Sequence, residues 1–376
     1  MPVYLDHNAT TPLSAAVVEA MMPYMTGVYG NPSSVHRYGR TTRDAIELAR
    51  QQVAQLTGAQ ASQVIFTSGG TEANNLALKG VLDSLPVSAF AVSAIEHNSV
   101  LEPARLLHRR GWQMDVIGAN GAGVITVESL KACLSEGTKF VSIMSANNET
   151  GALQDIVSLC KTARAMDSDR VFHTDACQMA GKLPVDFAHL GVDLLSLSSH
   201  KLYGPQGAGA LVAKRNIDLS AQMLGGGQEK QKRSGTENIA ALVGFGAAAE
   251  QAAEKMQQRQ LAAQVLQKAL IERLKVFGGI EIFSIAAPRL PNTVQFSLQG
   301  IEGEALLMLL DKKGFAVSSG SACDSAHTEP SHVLLAMSVA AETARGAIRV
   351  SFGEQNTNED VSRFIESLND IRQQFN

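Results

Sequence analysis

The stretch VDLLSLSSHKLYGPQG, residues 192–207, combines a buried strand with a lysine in an unusual place. Its first half is almost continuously apolar up to Ser198, as expected for a strand covered on both faces of a sheet. Lys201 follows at the end of that strand, next to His200 and shortly before Gly204. Since lysine is rarely buried without a partner, an isolated lysine of this kind is usually an exposed turn residue. The rest of the chain decides between that interpretation and a functional one.

The segments that precede this stretch alternate between helical and strand patterns. Amphipathic periodicity predicts helices at SAAVVEAMMPYM, RDAIELARQQVAQLTG, TEANNLALKGVL, SVLEPARLLHRRG, TVESLKACLSE and DIVSLCKTARAM. Apolar runs predict strands at QVIFTS, AFAVSAI, KFVSIMSA, RVFHTDA and VDLLSLS. This order is typical of βαβ units, so we expect an α/β fold with a mostly parallel sheet flanked by helices.

The pattern changes after a long Ala- and Gln-rich helical region that begins near Glu237 and ends near Phe277. Beyond it, the strands TVQFSL, FAVSSG and AIRVSF mix with the helices GEALLMLLDKKG, PSHVLLAM and NEDVSRFIESLNDIRQQF. A chain of 376 residues is also longer than one ordinary core. We predict a large α/β domain at 15–257 and a smaller α+β domain formed by 1–14 and 258–376.

Composition excludes several other classes of protein. The net charge of -4 argues against a nucleic-acid-binding surface, and no stretch approaches the roughly 20 apolar residues of a membrane span. The N-terminus MPVYLDHNATTP does not resemble a secretory signal, so we expect a soluble, cytoplasmic protein without a membrane partner.

The four cysteines are Cys133, Cys160, Cys177 and Cys323. They form no C-x-x-C pair, so we expect no metal site and no disulfide framework. Cys133 and Cys160 lie in apolar-periodic segments and are interpreted as core residues.

Polar residues follow five of the predicted strands, at the edge where an open α/β sheet binds its ligand. Taken singly, each is an ordinary cap or polar turn, but five such junctions together predict one pocket. In chain order the junctions carry Gly69, Gly70 and Thr71; His97; Asn147 and Asn148; Asp175 and Gln178; and Ser198, His200 and Lys201.

These residue types suit pyridoxal 5′-phosphate (PLP). A lysine can form a Schiff base with an aldehyde, and a lysine with an acidic partner for the pyridine nitrogen marks a PLP site. The helix that opens at Gly70 and Thr71 offers backbone N–H groups to a phosphate.

Ten motifs, in this order along the chain, resemble those of the cysteine desulfurases. They are YLDHNATTP, GNPSS, TSGGTEANN, EHNSV, NNETG, HTDACQ, SSHKLYGPQGAG, RSGTEN, SSGSAC and IRVSFG. The resemblance covers nearly the whole chain and points to the NifS/IscS-like group, which are class-V aminotransferase relatives and PLP enzymes of fold type I. It implies conversion of L-cysteine to L-alanine, with transfer of the sulfur to an enzyme cysteine as a persulfide.

The resemblance also implies a role for each residue of the site. Lys201 would carry the cofactor, Asp175 would pair with the pyridine nitrogen, Gln178 with the ring hydroxyl, and His97 would stack on the ring and transfer protons. The phosphate would be bound at Gly70 and Thr71, by Ser198 and His200, and by Thr236 of a second subunit, which implies a homodimer. Arg349 and Asn148 would bind the substrate carboxylate, Asn148 would also contact the cofactor, and Cys323 would be the sulfur-accepting nucleophile.

Cys323 lies in AVSSGSACDSAHTEPS, a run of small residues without apolar periodicity that predicts a loop. An exposed thiol of a loop can act as a nucleophile. The chain departs from the family's usual residues at Ser199 and Cys177, and Asp324 next to Cys323 would tend to raise the pKa of that thiol.

The persulfide would be delivered to an acceptor protein, such as an iron–sulfur scaffold or another sulfur carrier. Two other reactions on the same PLP scaffold stay open, namely selenocysteine lyase and cysteine C–S lyase. A non-catalytic binding module is a further alternative, although the intact Lys201, Asp175 and Cys323 argue against it.

Overall fold

The computed structural model describes residues 2–319 and 329–375. Its strands are β1 (Val3–Tyr4), β2 (Val64–Thr67), β3 (Ala89–Ser93), β4 (Gln113–Ile117), β5 (Thr138–Ser142), β6 (Val171–Asp175), β7 (Leu194–Ser198), β8 (Gly209–Ala213), β9 (Ile280–Ile282), β10 (Thr293–Leu298), β11 (Phe315–Ala316), β12 (Ser318–Ser319) and β13 (Ala347–Ser351). Its helices are α1 (Ala15–Thr26), α2 (Arg37–Leu56), α3 (Gly70–Leu82), α4 (Asn98–Arg109), α5 (Val127–Cys133), α6 (Ile156–Met166), α7 (Phe187–Leu190), α8 (Ile239–Phe277), α9 (Gly303–Lys312), α10 (His332–Ala336), α11 (Ala341–Arg345) and α12 (Asn358–Phe375).

The large sheet has seven strands in the order β2-β8-β7-β6-β5-β3-β4. The pairs from β7 to β4 are all parallel, whereas β8 is antiparallel to both β7 and β2. Consequently β2 runs in the same direction as β7, and the carboxyl ends of β2, β3, β5, β6 and β7 lie at one edge of the sheet. The predicted mostly parallel α/β architecture is confirmed.

Helices cover both faces of this sheet because its strands are apolar on both sides. Leu195 packs with Val53 of α2 and Phe245 of α8 in one core, whereas the adjacent Leu194 belongs to the core of α3 and α4 on the other face. Successive strand residues point to opposite faces, which explains how neighbours serve different cores. Two covered faces also explain why these strands read as continuous apolar runs.

A smaller α+β unit has its own core. Its antiparallel sheet has the order β12-β13-β10-β9, and a short parallel pair joins β1 to β11. Phe296 of β10, Leu306 of α9 and Phe364 of α12 lie in its apolar cluster, to which Val3 and Leu5 from the N-terminal segment also belong.

Helix α8 runs without interruption through position 258, where the sequence predicts the domain boundary. Its buried residues fall into two groups, from Ala241 to Ala252 and from Leu266 to Leu274, with none between them. The first group packs into the large core and the second into the small one. The boundary at 257/258 stays a prediction, and these two groups support it.

Two further observations concern the part of the chain that the structure describes. None of its helices combines the length and apolarity that crossing a bilayer requires. Within the same residues, no three or more His, Cys, Asp or Glu side chains are grouped so as to hold a metal ion.

Candidate active site

A cavity of about 340 Å³ opens at the carboxyl edge of the large sheet. It is bounded by strand ends, by the N-terminal segment, by α10, and by β13 of the smaller unit. Its lining includes Asn8, Gly70, Thr71, Asn74, His97, Asn148, Glu149, Asp175, Cys177, Gln178, Ser198, His200, Lys201, His332 and Arg349. The five strand-end junctions that the sequence predicts to form one pocket therefore do meet in one cavity.

Lys201 ends a single 3₁₀ turn, Ser199–Lys201, that directly follows β7. Its Nζ donates to the carbonyl oxygen of Ala9 at 2.6 Å and to that of Asn8. The turn is tight, since a Cβ added at Gly204 would lie 2.2 Å from the Ser199 Oγ. The lysine is thus half-buried, with its ammonium group held by backbone carbonyls of the N-terminal segment.

Asp175 is the last residue of β6 and only 6% of it is exposed. Its Oδ2 accepts from Asn74 Nδ2 at 2.7 Å, and its Oδ1 accepts from the backbone N–H of Cys177 at 2.9 Å. Because both oxygens are engaged, the carboxylate has one fixed orientation at the inner end of the cavity.

His97 caps α4 and lines the same cavity. Its Nδ1 accepts from the backbone N–H of Ser99 at 3.1 Å, so the proton of the neutral imidazole lies on Nε2. Burial lowers the pKa of His97, although the negative charge of Asp175 acts in the opposite direction.

The beginning of α3 forms a close-fitting end of the cavity. A Cβ added at Gly70 would lie 2.7 Å from the Cys177 Sγ, so only glycine leaves this space open. The first N–H groups of a helix, at the positive end of its dipole, favour an anion such as a phosphate. Thr71, which is exposed, and the buried Ser198 place hydroxyl groups at the same end.

His200 contacts Thr10 through Nδ1, at 3.1 Å from its Oγ1. Burial lowers the pKa of His200 to about 4, and the charge of Lys201 acts in the same direction. His200 is therefore neutral at pH 7.

The amide of Gln178 is oriented by a second lysine that the sequence did not single out. Lys182 Nζ donates to Gln178 Oε1 and to Asn8 Oδ1, both at 2.8 Å. Since an ammonium group can only donate, the amide oxygen is engaged on that side, and Nε2 lies towards Asn8, whose carbonyl it contacts at 3.0 Å. Burial lowers the pKa of Lys182 well below its usual value, and the charges of Lys201 and Arg349 add to this effect.

Arg349 lies in β13 with only 2% exposed. Its Nη1 donates to the backbone oxygen of Asn148 at 2.9 Å, and its Nη2 donates to Asp6 Oδ1 at 2.7 Å. Its Nε is buried and has no hydrogen-bond partner among the described residues. The guanidinium group thus retains an unused donor, and Asn148 approaches it through its backbone.

Not every sequence-predicted residue lines the cavity. Thr236 is exposed and does not line the cavity of its own chain. Cys323 and Asp324 lie outside the residues that the structure describes. Asn147 does not line the cavity either; it is buried and organises the turn after β5, since its Oδ1 accepts from the backbone N–H groups of Glu149 and Thr150.

Asn8, Asn74, Glu149 and His332 line the cavity, although the sequence analysis did not single them out. Asn8 and Asn74 lie in the motifs YLDHNATTP and TSGGTEANN, so the motifs could have drawn attention to them. Glu149 follows the predicted asparagine pair in the same way. His332 gave no such signal, because in the sequence it begins an ordinary short helix.

The residues of the cavity fit PLP. A lysine and a fixed carboxylate occupy one site, and a helix start that opens with glycine offers donors to the phosphate. One N–H of Gln178 Nε2 donates to Asn8, which leaves its second N–H as a donor to a ring oxygen. The volume is of the size that small-molecule sites have.

Comparisons with known proteins agree with this geometry. The model of the family "Aminotransferase class-V" matches residues 3–364. A protein named "Cysteine desulfurase IscS" from Dictyoglomus turgidum is 43% identical over 98% of this chain and 94% of its own length. A solved "NifS-like protein" has 34% identity and a TM-score of 0.93, covering 99% of this chain and 100% of its own. A structure titled "SspA in complex with cysteine" has 31% identity and a TM-score of 0.83, covering 94% of this chain and 100% of its own.

Proposed function

The chain belongs to the class-V aminotransferase family and, within it, to the cysteine desulfurases; on that premise we propose that it is a PLP-dependent L-cysteine desulfurase. The observation that carries the proposal is the meeting of Lys201, Asp175 and Arg349 in one cavity, in a chain that is similar over nearly its whole length to a cysteine desulfurase. A lysine and a carboxylate suit PLP, and an arginine suits a carboxylate substrate such as an amino acid.

We assign the cofactor to the residues around Lys201. Asp175 would face the pyridine nitrogen and Gln178 the ring hydroxyl, while His97 would lie against the ring. The phosphate would be held at the beginning of α3, by Gly70 and Thr71 together with Ser198 and His200. When bound, PLP supplies an electron sink for the negative charge that develops at the substrate Cα.

The remaining chemistry belongs to side chains of this protein. Arg349, with Asn148, would bind the substrate carboxylate through guanidinium N–H groups. Lys201 would take the Cα proton at its Nζ and return a proton to the product. Because the cavity is half-enclosed by the two units, these groups act on a substrate that is largely withdrawn from water.

Cys323 would accept the sulfur. Its Sγ forms a bond to the substrate sulfur while the substrate Cβ–S bond breaks, and the bonding electron pair stays with Cβ and is protonated. L-cysteine and the Cys323 thiol thus give L-alanine and a Cys323 persulfide, with no external oxidant or reductant. The persulfide would then pass its outer sulfur to an acceptor protein.

We also propose that the enzyme is a homodimer in which Thr236 of each chain completes the phosphate site of the other. The exposure of Thr236 and its absence from the cavity of its own chain support this arrangement.

The direct test is incubation of the PLP-loaded protein with L-cysteine while alanine and protein persulfide are quantified. We expect both products from the unsubstituted protein, no alanine from Lys201→Ala, and no persulfide from Cys323→Ala. Release of free sulfide at an unchanged rate by Cys323→Ala would instead identify a cysteine C–S lyase. Turnover of selenocysteine alone would identify a selenocysteine lyase.

A further inference from the structure

His332 lies in the wall of the cavity, on an element that the family motifs do not include. It is the first residue of α10, and two hydrogen bonds attach this point of the helix to the large unit. Ser331 Oγ donates to Glu149 Oε2 at 2.5 Å, and His332 Nε2 contacts the backbone oxygen of Glu96 at 2.9 Å. The first bond holds the start of the helix, and the second holds the imidazole itself through Nε2.

The contact with Glu96 determines the tautomer of His332. A carbonyl oxygen can only accept, so Nε2 must carry a proton and donate it. In the neutral imidazole, Nδ1 is then an acceptor, and it has no hydrogen-bond partner among residues 2–319 and 329–375.

His97 has the opposite arrangement, because its Nδ1 accepts from Ser99 and its Nε2 carries the proton. The two imidazoles line the same cavity, so it contains one histidine with a donor nitrogen and one with an acceptor nitrogen. An acceptor in the wall calls for a ligand group that can donate a hydrogen bond.

Only one group of the proposed substrate satisfies this requirement. The carboxylate of L-cysteine has no proton to donate and is assigned to Arg349. The amino group is consumed in the reaction at Lys201. The thiol remains, and its S–H group is a weak donor.

We propose that His332 determines specificity by accepting a hydrogen bond at Nδ1 from the side-chain thiol of the bound substrate. This inference rests on the proposed function, since it takes L-cysteine as the substrate. The same hydrogen bond would favour L-cysteine over selenocysteine, because a deprotonated selenolate has no proton to donate to Nδ1.

The test compares two ligands that differ only at the side chain. L-2-aminobutyrate has a methyl group where L-cysteine has its thiol, so the ratio of their dissociation constants isolates the contribution of S–H. Binding is measured by titration of the PLP-loaded Cys323→Ala protein, in which cysteine binds without losing its sulfur. We expect His332→Phe, which keeps a ring but has no acceptor, to reduce the preference for cysteine about two- to tenfold, the value of one hydrogen bond.

Two further variants separate this role from an effect on the helix. Ser331→Ala removes the contact with Glu149 from the same point of α10, and it should leave the ratio unchanged. His332→Gln has an amide that can both donate to Glu96 and accept from the thiol, and it should restore most of the preference. His332→Leu takes the place of His332→Phe if the latter does not fold.

An unchanged ratio in His332→Phe or His332→Leu would overturn the inference, as would an equal change in Ser331→Ala. Failure of the proposed function gives a different result, since the unsubstituted protein would then make no alanine from L-cysteine.

Discussion

Glu96 shows how strongly a single buried side chain next to the cavity responds to its surroundings. The residue is fully buried, and its Oε1 accepts from Ser93 Oγ at 2.7 Å and from the backbone N–H of Met144 at 2.6 Å. Its Oε2 is buried without a hydrogen-bond partner among the described residues. Burial raises the pKa of Glu96 to about 8, and the negative charge of Asp175 adds to the effect despite the opposing hydrogen bonds.

This pKa predicts a pH-dependent stability. Between the ordinary glutamate value near 4.5 and about 8, the folded protein holds a proton that the unfolded chain has released. The contribution of Glu96 to the free energy of unfolding therefore falls as pH rises through this window. Glu96→Gln cannot ionise, so its stability relative to wild type should increase from pH 5 to pH 8, by about 1.4 kcal/mol per pH unit at most. Denaturant unfolding at both pH values measures it.

The exposed Glu254 offers a matched control for this measurement. Glu254→Gln should show the same pH dependence as wild type, because its side chain lies in solvent and the substitution leaves the surroundings of Glu96 unchanged. Parallel pH profiles for Glu96→Gln and wild type would contradict the prediction.

The close packing of Gly70 against Cys177 leads to a second prediction, which concerns the affinity for PLP. The Cβ of Gly70→Ala would lie 2.7 Å from the Cys177 Sγ, but its next contact, the Ser198 Cβ, lies at 3.4 Å. Gly70→Ala should therefore weaken PLP binding, and adding Cys177→Ala should restore most of the affinity because it removes the clashing sulfur. Residues in contact are expected to be non-additive in this way. Spectroscopic titration of the apoproteins with PLP gives the dissociation constants, and strictly additive losses would contradict the explanation.

At the scale of elements, the segment 228–231 is held in an unfavourable conformation. Glu229, Lys230 and Gln231 all have positive φ, at 45°, 58° and 63°. For residues with side chains this left-handed region costs roughly 1–2 kcal/mol each. Glu229 compensates through two hydrogen bonds from Arg50 of α2, at 2.7 and 2.8 Å, and one from the backbone N–H of Phe66 in β2. The segment that leads to Thr236 is thereby attached to the strand that leads to Gly70.

Removal of this attachment should be costly. Glu229→Ala removes the buried carboxylate of Arg50, a residue only 6% exposed, and leaves it only the half-exposed Glu47 at 3.1 Å. Breaking a buried ion pair in this way typically destabilises by about 3–5 kcal/mol. The exposed pair of Arg105 and Glu102 provides the control, since Glu102→Ala should change the free energy of unfolding by less than about 1 kcal/mol. Equal effects of the two substitutions in urea unfolding would show that Glu229 does not hold the segment.

The elements that the sequence predicted and those that it missed differ in burial. The strands β2, β3, β5, β6 and β7 were predicted because both faces are covered and their sequences are apolar. Strand β4 lies at the edge of the sheet with Gln113 exposed, so its sequence QMDVI shows no continuous apolar run. Burial does not explain strand β8, which is fully buried and as long as β7; it was missed because it directly follows the turn at Gly204–Gly207, which conceals the change to antiparallel pairing.

The same reasoning explains which parts of the site were predictable. The sequence alone predicts that strand-end residues such as Asp175 and Lys201 lie close together, because parallel strands end at a common edge. Asn8 reaches the cavity from the N-terminal segment and His332 from α10, a helix that follows the strands of the smaller unit in sequence but packs into the large core. Their approach depends on how the two units pack, for which the local sequence has no pattern.

At the scale of the whole molecule, the surface carries apolar side chains that a monomer would leave in water. Met25, Val35 and Leu224 are 66%, 85% and 85% exposed, and the rings of Tyr29 and Tyr38 stack on each other at the surface with 5.6 Å between centroids. Contiguous exposed apolar groups, such as the stacked rings of Tyr29 and Tyr38, are typical of an interaction surface. They support the proposed homodimer, because a symmetric pair is the commonest assembly that would cover them.

A mixed dimer tests whether the two chains share their sites. One subunit carries Lys201→Ala and the other Thr236→Ala, with different affinity tags so that the hybrid can be purified. If Thr236 serves the partner's site, the Thr236→Ala subunit keeps its own Lys201 and receives an intact Thr236 from its partner. One of the two sites is then complete, so the hybrid should have about half of the wild-type activity per dimer. If Thr236 instead served its own chain, both sites would be defective, and the hybrid would reach at most half of the activity of the Thr236→Ala homodimer. Alanine formation from L-cysteine by the hybrid and both parent homodimers distinguishes the two arrangements, and a protein that sediments as a monomer at micromolar concentration would exclude the first.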